Sequence, residues 1–213
     1  DIAEENGEKA AANIRDDGGA AEFLRLDVTD QESIGKFAEA VLDKKGRVDA
    51  VANVAGWGRN EPFINNTAEF QEKVIALDLV GPINVVRAFV PTMMEQMSGR
   101  IINVSSDAGR VGSLGETVYS GAKGGVIAFS KSLAREVARY NINVNCVCPG
   151  PTETPLMDAV PEKYHEAFIR ATPLRRLAKP SEIADAILFF ASSRSDFVTG
   201  QVLSVSGGLT MAG

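Results

Sequence analysis

Apolar and polar positions alternate along the chain in two kinds of block. In the first kind, apolar residues recur every three or four positions, as in a helix with one buried face; these blocks are 4–16, 29–44, 67–95, 117–140 and a stretch that follows Pro180. The second kind is short and mostly apolar, which is typical of buried strands; these blocks are 22–28, 48–56, 99–106, 142–150 and 200–208. Helix and strand therefore alternate along the whole sequence.

Turn and cap residues mark several ends of these elements. Gly18 and Gly19 form a stop signal for the first helix, and Gly46 indicates a turn after the second. Thr29 and Glu32 have the spacing of a capping box, so we expect the second helix to begin there.

Apolar strands separated by helices indicate a parallel sheet with both faces covered, which is the doubly wound α/β class. The chain has 213 residues and a hydrophobic fraction of 45%, and it contains no repeat or linker. We therefore predict one Rossmann-like domain over residues 1–213.

Charge excludes two classes of partner. The formal net charge is -6, and no block of Lys or Arg is present. Neither nucleic acid nor an anionic membrane is therefore expected to bind.

Without a secretory signal or an apolar stretch of about 18 residues, the sequence predicts a cytoplasmic protein. Cys146 and Cys148 would share one face of a strand, and we interpret them as a buried, reduced pair rather than a metal or redox site.

In sheets of this class, ligands bind beyond the carboxyl ends of the strands. Three turns follow predicted strands at that edge: "NVAG" at 53–56, "SSDAG" at 105–109 and "PGPTET" at 149–154. Their glycines would let a ligand approach the backbone closely. We predict a ligand site at this edge.

Three side chains near that edge could act together. Tyr119 and Lys123 are four residues apart at the start of a helix, so they share a face. An ammonium close to a phenol favours the phenolate, and we therefore expect the pKa of Tyr119 to be lowered. Ser106 ends the preceding strand, where its hydroxyl could hydrogen-bond the oxygen of a carbonyl or alcohol.

Taken together, these residues, "NVAG" and "PGPTET" resemble the classical short-chain dehydrogenase/reductase family over essentially all 213 residues. The resemblance implies an NAD(P)-dependent oxidoreductase that interconverts a small-molecule secondary alcohol and a ketone. It implies that Tyr119 is the general acid/base and that Ser106 orients the carbonyl. Lys123 would lower the tyrosine pKa and bind the nicotinamide ribose.

The resemblance also implies a set of cofactor contacts. They fall on three segments. Asp27 and Val28 would contact the adenine, and Asn53, Ala55 and Gly56 match the family's "NAG" turn. Pro149, Gly150, Thr152 and Thr154 match the loop on the nicotinamide side. Asp1 matches the acidic residue that binds the ribose 2′-OH, which favours NAD over NADP.

The chain departs from the family pattern at several positions. Val54 and Ser206 replace a usual asparagine and aspartate, and Asp78 replaces an asparagine that supports the proton relay. A carboxylate at 78 could hold a relay water, but its charge would alter the coupled titration with Lys123. The family's first two strands and Gly-rich cofactor loop, about 35 residues, are expected to precede Asp1, so the sheet of the 213-residue chain would lack those strands.

The substrate is open between two classes. Four stretches, "SDAGRVGSLGE", "CPGPTET", "NVAGW" and "GQVLSVSGGLTM", resemble family members that act on a cyclic 2-hydroxyacyl-CoA. The alternative is a 3-oxoacyl-ACP or 3-hydroxyacyl-CoA substrate. Trp57 could line a ring-sized pocket or pack against another subunit. Several arginines could meet CoA phosphates or simply be solvated: Arg110, Arg170, Arg175 and Arg176. We interpret His165 as an ordinary helix residue.

A third hypothesis is a regulatory nucleotide-binding protein without turnover. Asp78 and the missing cofactor loop favour it, whereas the intact Ser106, Tyr119 and Lys123 argue against it. The resemblance further implies a homotetramer, for which helices 67–95 and 117–140 would suit the interface.

Overall fold

The computed structural model describes residues 1–158, 160 and 162–211. Its strands form a parallel sheet with the order β1-β2-β3-β4. They are β1 Ala50–Asn53, β2 Gly99–Val104, β3 Ile142–Pro149 and β4 Val202–Val205. Because neighbours in the sheet are parallel and consecutive in sequence, a crossover joins each pair. The predicted parallel α/β class is confirmed.

The α-helices lie between the strands and before the first of them. They are α1 Glu4–Asp16, α2 Gln31–Lys45, α3 Ala68–Ile75, α4 Gly81–Gln96, α5 Asp107–Val111, α6 Thr117–Val137, α7 Pro155–Asp158, α8 Glu162–Ala171 and α9 Pro180–Ala191. A π-helical turn, Ala76–Val80, joins α3 to α4, and short 3-10 turns lie at Phe63–Asn65, Ala138–Tyr140 and Ser193–Ser195.

Helices cover both faces of the sheet. On one face, Val86 and Phe89 of α4 and Ala134 of α6 pack in one core cluster with Val51 and Val144 of the sheet. On the other face, Ile183 and Phe190 of α9 pack against Ile102 and Val147. Alternate strand residues therefore enter opposite cores, which explains why the strands are apolar throughout.

The predicted strand at 22–28 does not form. Among the described residues, the segment gains one backbone bond from a neighbouring segment, from Leu26 N to Asp1 O at 3.1 Å. A strand needs a partner along its length, so apolar residues alone do not suffice.

The predicted cap of the second helix is also wrong. The N-cap is Asp30, whose side chain accepts from Glu32 N at 3.0 Å. Thr29 instead donates its hydroxyl to Asp27 Oδ1 at 2.6 Å. The turn predicted at Gly46 is present, and Gly46 ends the helix in the left-handed conformation.

Among the described residues, the helical stretch Ala68–Gln96 is long and apolar enough to cross a membrane by length and composition. The stretch includes two charged residues near its middle, Asp78 and Arg87. Val85, Val86 and Phe89 of this stretch are buried in the core against the sheet. That is the position of a core helix.

Cys146 and Cys148 are both buried and free. Burial raises the pKa of Cys146 to about 11 and that of Cys148 to about 12. Thiols with raised pKa values are poor nucleophiles at neutral pH. The prediction of a buried, reduced pair is confirmed.

Candidate active site

The carboxyl ends of β1, β2 and β3 meet at one edge of the sheet, because neighbouring strands are parallel. The turns at 53–56, 105–109 and 149–154 lie at this edge, each at or just beyond the end of a strand. Val54, Ala55 and Gly56 are exposed after β1. The structure thus assembles the predicted edge from three separate parts of the chain.

Ser106 lies between β2 and α5 and is the N-cap of α5. Its hydroxyl oxygen accepts from Ala108 N at 3.1 Å, which leaves the hydroxyl hydrogen able to donate. The neighbouring Ser105 is buried and donates its hydroxyl to Lys123 O at 2.8 Å. The end of β2 is therefore tied to the start of α6.

Lys123 is buried, with 2% of its surface exposed. Its Nζ donates to Val104 O at 3.1 Å and lies 3.2 Å from Oδ1 of Asp78. The same atom is 5.6 Å from the ring centroid of Tyr119, which is half-buried one helical turn earlier. The structure thus brings the predicted lysine, tyrosine and aspartate together.

Asp78 lies in the π-helical turn and has no exposed surface. Its carboxylate also accepts from Trp57 N, at 3.3 and 3.4 Å. Burial raises the pKa of Asp78, although the Lys123 charge and the Trp57 N–H act in the opposite direction. We predicted one continuous helix here; the wider turn is a deviation of a kind often found at functional sites.

The pKa of Tyr119 is raised, so our expectation of a lowered value was wrong. Burial is the largest cause, and the negative charge of Asp78 adds to it, whereas hydrogen bonding to Ser106 lowers the pKa. The ammonium of Lys123 lies against the Asp78 carboxylate, which opposes its charge. In this state the Tyr119 phenol is protonated at neutral pH and is a proton donor.

Gly56 approaches the ion pair more closely than any side chain could. A Cβ at Gly56 would lie 2.7 Å from Asp78 Oδ1 and 3.1 Å from Lys123 Nζ. At Gly58, a Cβ would lie 3.1 Å from Cδ2 of Tyr119. An exposed glycine turn directly over a buried ammonium fits a nicotinamide cofactor, whose ribose needs close backbone approach and hydrogen-bond donors.

The other predicted cofactor residues of the turn and the loop are placed differently. The Asn53 side chain is buried and donates to Asn103 Oδ1 at 2.8 Å, so its backbone, rather than its amide, is available to a ligand. Thr152 donates to Gly150 O at 2.9 Å, and Thr154 donates to Thr152 O at 3.3 Å. The loop that begins at Pro149 is therefore folded on itself, and its cofactor contacts stay predictions.

Asp1 and Asp27 lie near each other because Leu26 N donates to Asp1 O. Oδ1 of Asp27 accepts from both the backbone and the hydroxyl of Thr29, and these bonds lower the pKa of Asp27. Val28 is buried against Gly81, where a Cβ would lie 2.9 Å from its Cγ2. The exposed Asp1 carboxylate accepts from Ala3 N through Oδ1 at 2.9 Å, and its contact with a cofactor stays a prediction.

Trp57 packs in the same apolar cluster as Tyr119. Its ring contacts Phe70 edge to face with centroids 5.8 Å apart, and Lys73 Nζ lies 4.1 Å from the Trp57 ring centroid. Trp57 therefore forms an apolar wall close to Tyr119. Contact with another subunit stays a prediction.

The arginines suggested for CoA are engaged with protein groups. Arg176 makes two bonds to Glu182, Arg170 lies 3.2 Å from Glu166, and Arg175 donates to Arg170 O. Arg110 lies 3.2 Å from Asp107. His165 lies in α8, with Nε2 2.8 Å from Met157 O, in keeping with a helix residue outside the site. Contacts between arginines and CoA stay predictions.

This site can transfer a proton and polarise a carbonyl. The Tyr119 phenol can donate its proton to a carbonyl oxygen, while the Ser106 hydroxyl donates a hydrogen bond to the same oxygen. Lys123 and Asp78 set the charge around the phenol. A nicotinamide cofactor, when bound, supplies or accepts the hydride. The parallel α/β fold and this site define a nicotinamide-dependent oxidoreductase of the tyrosine–lysine type.

Comparison with known proteins agrees with this class. A family model described as enoyl-(acyl carrier protein) reductase matches residues 1–210. The chain is 40% identical to 3-oxoacyl-[acyl-carrier-protein] reductase FabG of Thermotoga maritima over 211 residues, covering 99% of this chain and 86% of the relative. It is 39% identical to acetoacetyl-CoA reductase of Acinetobacter sp. over 189 residues, covering 89% and 76% respectively. The chain belongs to the classical short-chain dehydrogenase/reductase family and is an NAD(P)-dependent oxidoreductase.

Proposed function

We propose that this protein reduces 3-oxoacyl thioesters to 3-hydroxyacyl thioesters, with the acyl group carried by acyl carrier protein or CoA. The observation that carries the proposal is the protonated Tyr119 phenol beside the Ser106 hydroxyl, a proton donor next to a hydrogen-bond donor. Such a pair suits reduction of a ketone, because the product oxygen must gain a proton. The names of the two relatives support the substrate class, since acetoacetyl-CoA is itself a 3-oxoacyl thioester.

The second candidate is a cyclic substrate, as in 2-hydroxycyclohexane-1-carboxyl-CoA dehydrogenase. The stretches "SDAGRVGSLGE" and "CPGPTET" favour it, and Trp57 offers an apolar wall near Tyr119. Chemically the two candidates are close, because the ring hydroxyl also stands β to the thioester carbonyl. The same Tyr119 and Ser106 would serve both, and the difference would lie in the apolar wall.

The cofactor is a nicotinamide nucleotide, and NAD is the form that we favour. Asp1 is exposed and lies beside the 26–27 segment, where a carboxylate would accept hydrogen bonds from ribose hydroxyls and repel a 2′-phosphate. The homotetramer and the cytoplasmic location stay predictions.

The test is a comparison of substrates with the full-length protein. Oxidation of NADH and of NADPH is followed with acetoacetyl-CoA, acetoacetyl acyl carrier protein and 2-oxocyclohexane-1-carboxyl-CoA. We expect the highest kcat/KM with an acetoacetyl thioester. A higher kcat/KM with the cyclic thioester selects the second candidate. If the protein reduces simple ketones but none of the three thioesters, both candidates are contradicted.

A further inference from the structure

A buried carboxylate directly follows Ser106. Asp107 is the first residue of α5 and has 5% of its surface exposed. Its oxygens have different partners: Oδ1 lies 3.2 Å from Nη1 of Arg110, and Oδ2 accepts from the Ser204 hydroxyl at 2.8 Å. Since Ser204 is in β4, this bond passes the carboxyl end of β3 and joins α5 to the outer strand of the sheet.

The hydrogen bonds continue from β4 to the loop at 149–154. The hydroxyl oxygens of Ser204 and Ser206 are 2.8 Å apart, and Ser206 Oγ accepts from Thr210 N at 3.3 Å. Ser206 packs directly on Gly150, where a Cβ would lie 2.7 Å from the Ser206 Cβ. Gly150 N also donates to Val205 O at 3.0 Å. The carboxylate of Asp107 is therefore connected to the backbone of that loop.

The helix α5, which carries this carboxylate, depends on its neighbours for its position. α5 has five residues, and so short a helix is unstable in isolation. Gly109 fixes one side of it, because a Cβ there would lie 2.7 Å from the Lys123 carbonyl carbon. Asp107 fixes the first turn. Because Ser106 caps that turn through Ala108 N, a shift of α5 moves the Ser106 hydroxyl.

We propose that Asp107 is a positioning residue, which holds the Ser106 hydroxyl in register with the 149–154 loop through Ser204 and Ser206. The proposal rests on the proposed reduction of a carbonyl, in which Ser106 orients the substrate oxygen, and on the predicted contact of that loop with the nicotinamide. Asp107 transfers no proton. It fixes the relation between two parts of the site that come from β2 and β3.

Three variants separate the contacts. Asp107→Ala removes the contacts with both Arg110 and Ser204, and Asp107→Asn keeps an acceptor for Ser204 without the charge. Ser204→Ala removes the bonds of the Ser204 hydroxyl to Asp107 and Ser206 but leaves the contact between Asp107 and Arg110. Ser195→Ala is the matched control. Ser195 is fully buried, and its hydroxyl donates to Phe190 O at 3.0 Å, near the amino end of the sheet, where Asn143 Nδ2 donates to Ser195 O. The Ser195→Ala substitution therefore removes a buried serine hydroxyl that lies away from the site.

The first readout is amide hydrogen exchange in α5, which needs no turnover. We expect Asp107→Ala to speed exchange of the 108–112 amides about tenfold or more, because local opening becomes easier. Ser204→Ala should give a smaller increase, and Ser195→Ala should leave these amides unchanged. If Asp107→Ala and Ser204→Ala both leave α5 exchange at the wild-type rate, the anchoring role is overturned.

The second readout is kinetic. A displaced Ser106 should lower kcat by about a hundredfold, with little change in KM for the cofactor. The primary deuterium isotope effect on kcat, measured with 4-deuterated reduced nicotinamide, should increase because hydride transfer becomes slower. Asp107→Asn should recover much of the loss. If Asp107→Ala speeds amide exchange in α5 but leaves kcat and the isotope effect unchanged, Asp107 has only a structural role and the proposal is overturned.

Failure of the proposed function looks different from failure of this inference. If the wild-type protein reduces a ketone but no 3-oxoacyl thioester, the substrate proposal fails and the kinetic comparison is made on that ketone. If Asp107→Ala does not fold, Ser204→Ala carries both readouts, since it removes one hydroxyl and leaves the contact between Asp107 and Arg110 in place.

Discussion

Nζ of Lys123 lies 3.2 Å from Oδ1 of Asp78, and both side chains are buried. Burial is the main cause of the raised pKa of the Tyr119 phenol, and the negative charge of the Asp78 carboxylate adds to it. The same carboxylate pairs with Lys123, the cation one helical turn from the phenol. The pair therefore contributes to the protonation state of the residue that we place at the centre of the chemistry.

Removing the charge at Asp78 should lower the pKa of Tyr119. In Asp78→Asn, the Lys123 ammonium acts on the phenol unopposed, which favours phenolate. Alcohol oxidation needs the phenolate and rises with pH, so its pH profile should move to lower pH by about one unit or more. Ketone reduction needs the phenol, so its loss at high pH should also begin at lower pH.

Both profiles are measured as log kcat against pH. Asp49→Asn is the control, because Asp49 is exposed and pairs with Arg47 away from the site. Glu116→Gln should move the profile in the same direction by less, since Glu116 raises the pKa of Tyr119 less than Asp78 does. A profile of Asp78→Asn that stays at the wild-type pH, or moves upward, contradicts the role given to Asp78.

The same ion pair should matter for stability. Asp78→Asn leaves a buried ammonium without its carboxylate, and breaking a buried pair costs about 3 kcal/mol or more. Replacing both partners, as in Asp78→Asn with Lys123→Met, should cost less than the single change. The free energy of unfolding from urea titration tests this order, with Asp49→Asn as the control. If the double variant is less stable than Asp78→Asn alone, the cost of Asp78→Asn does not come from an unpaired Lys123 ammonium.

Gly56 should tolerate no side chain. Gly56→Ala would place a Cβ 2.7 Å from Asp78 Oδ1, so the ion pair or the turn must shift. We expect cofactor affinity and kcat each to fall about tenfold or more, on the scale of a displaced active-site group. Gly35→Ala is the control, because a Cβ there meets nothing within 4 Å and the site lies on an exposed part of α2. NADH binding is measured by fluorescence. If Gly56→Ala and Gly35→Ala change NADH affinity equally, Gly56 is not part of the cofactor site.

Asp1 should set the preference between the two nicotinamide cofactors. The wild-type protein should have the higher kcat/KM with NAD, and Asp1→Ala should reduce that preference about tenfold, or ~1.4 kcal/mol. Asp16→Ala, at the end of α1, is the control for loss of an acidic residue. A wild-type preference for NADP would show that Asp1 does not contact the ribose.

The sequence predicted the sheet and most helices because their signals are long and periodic. The strand 142–150 is buried on both faces and the helix 117–140 spans several turns, so each could be recognised by itself. The segment 22–28 could not, because a strand depends on its neighbour. Short helices such as α5 and α7 give too few residues for a period, and the π turn at 76–80 uses residues that are ordinary in an α-helix.

The candidate site was predictable in its members but not in its electrostatics. Ser106, Tyr119 and Lys123 stand out because of their spacing, with a serine thirteen residues before the tyrosine and a lysine four after it, and because the turns at 53–56 and 149–154 fit the same family. The sign of the Tyr119 pKa shift was missed because it depends on how deeply the phenol is buried and on the Asp78 charge that the fold brings near it. The bond between Asp107 and Ser204 joins residues 97 positions apart, and no local pattern indicates it.

The most direct test of the central claim is the effect of Tyr119→Phe on the rate of NADH oxidation with the best acetoacetyl thioester. The phenol is the group that gives the carbonyl oxygen its proton, so kcat should fall by about two to four orders of magnitude. NADH affinity should change little, and Tyr140→Phe, which removes a hydroxyl that accepts from Arg139 away from the site, should keep the wild-type rate. A Tyr119→Phe protein that binds NADH normally and retains more than about a tenth of the wild-type kcat would contradict the account.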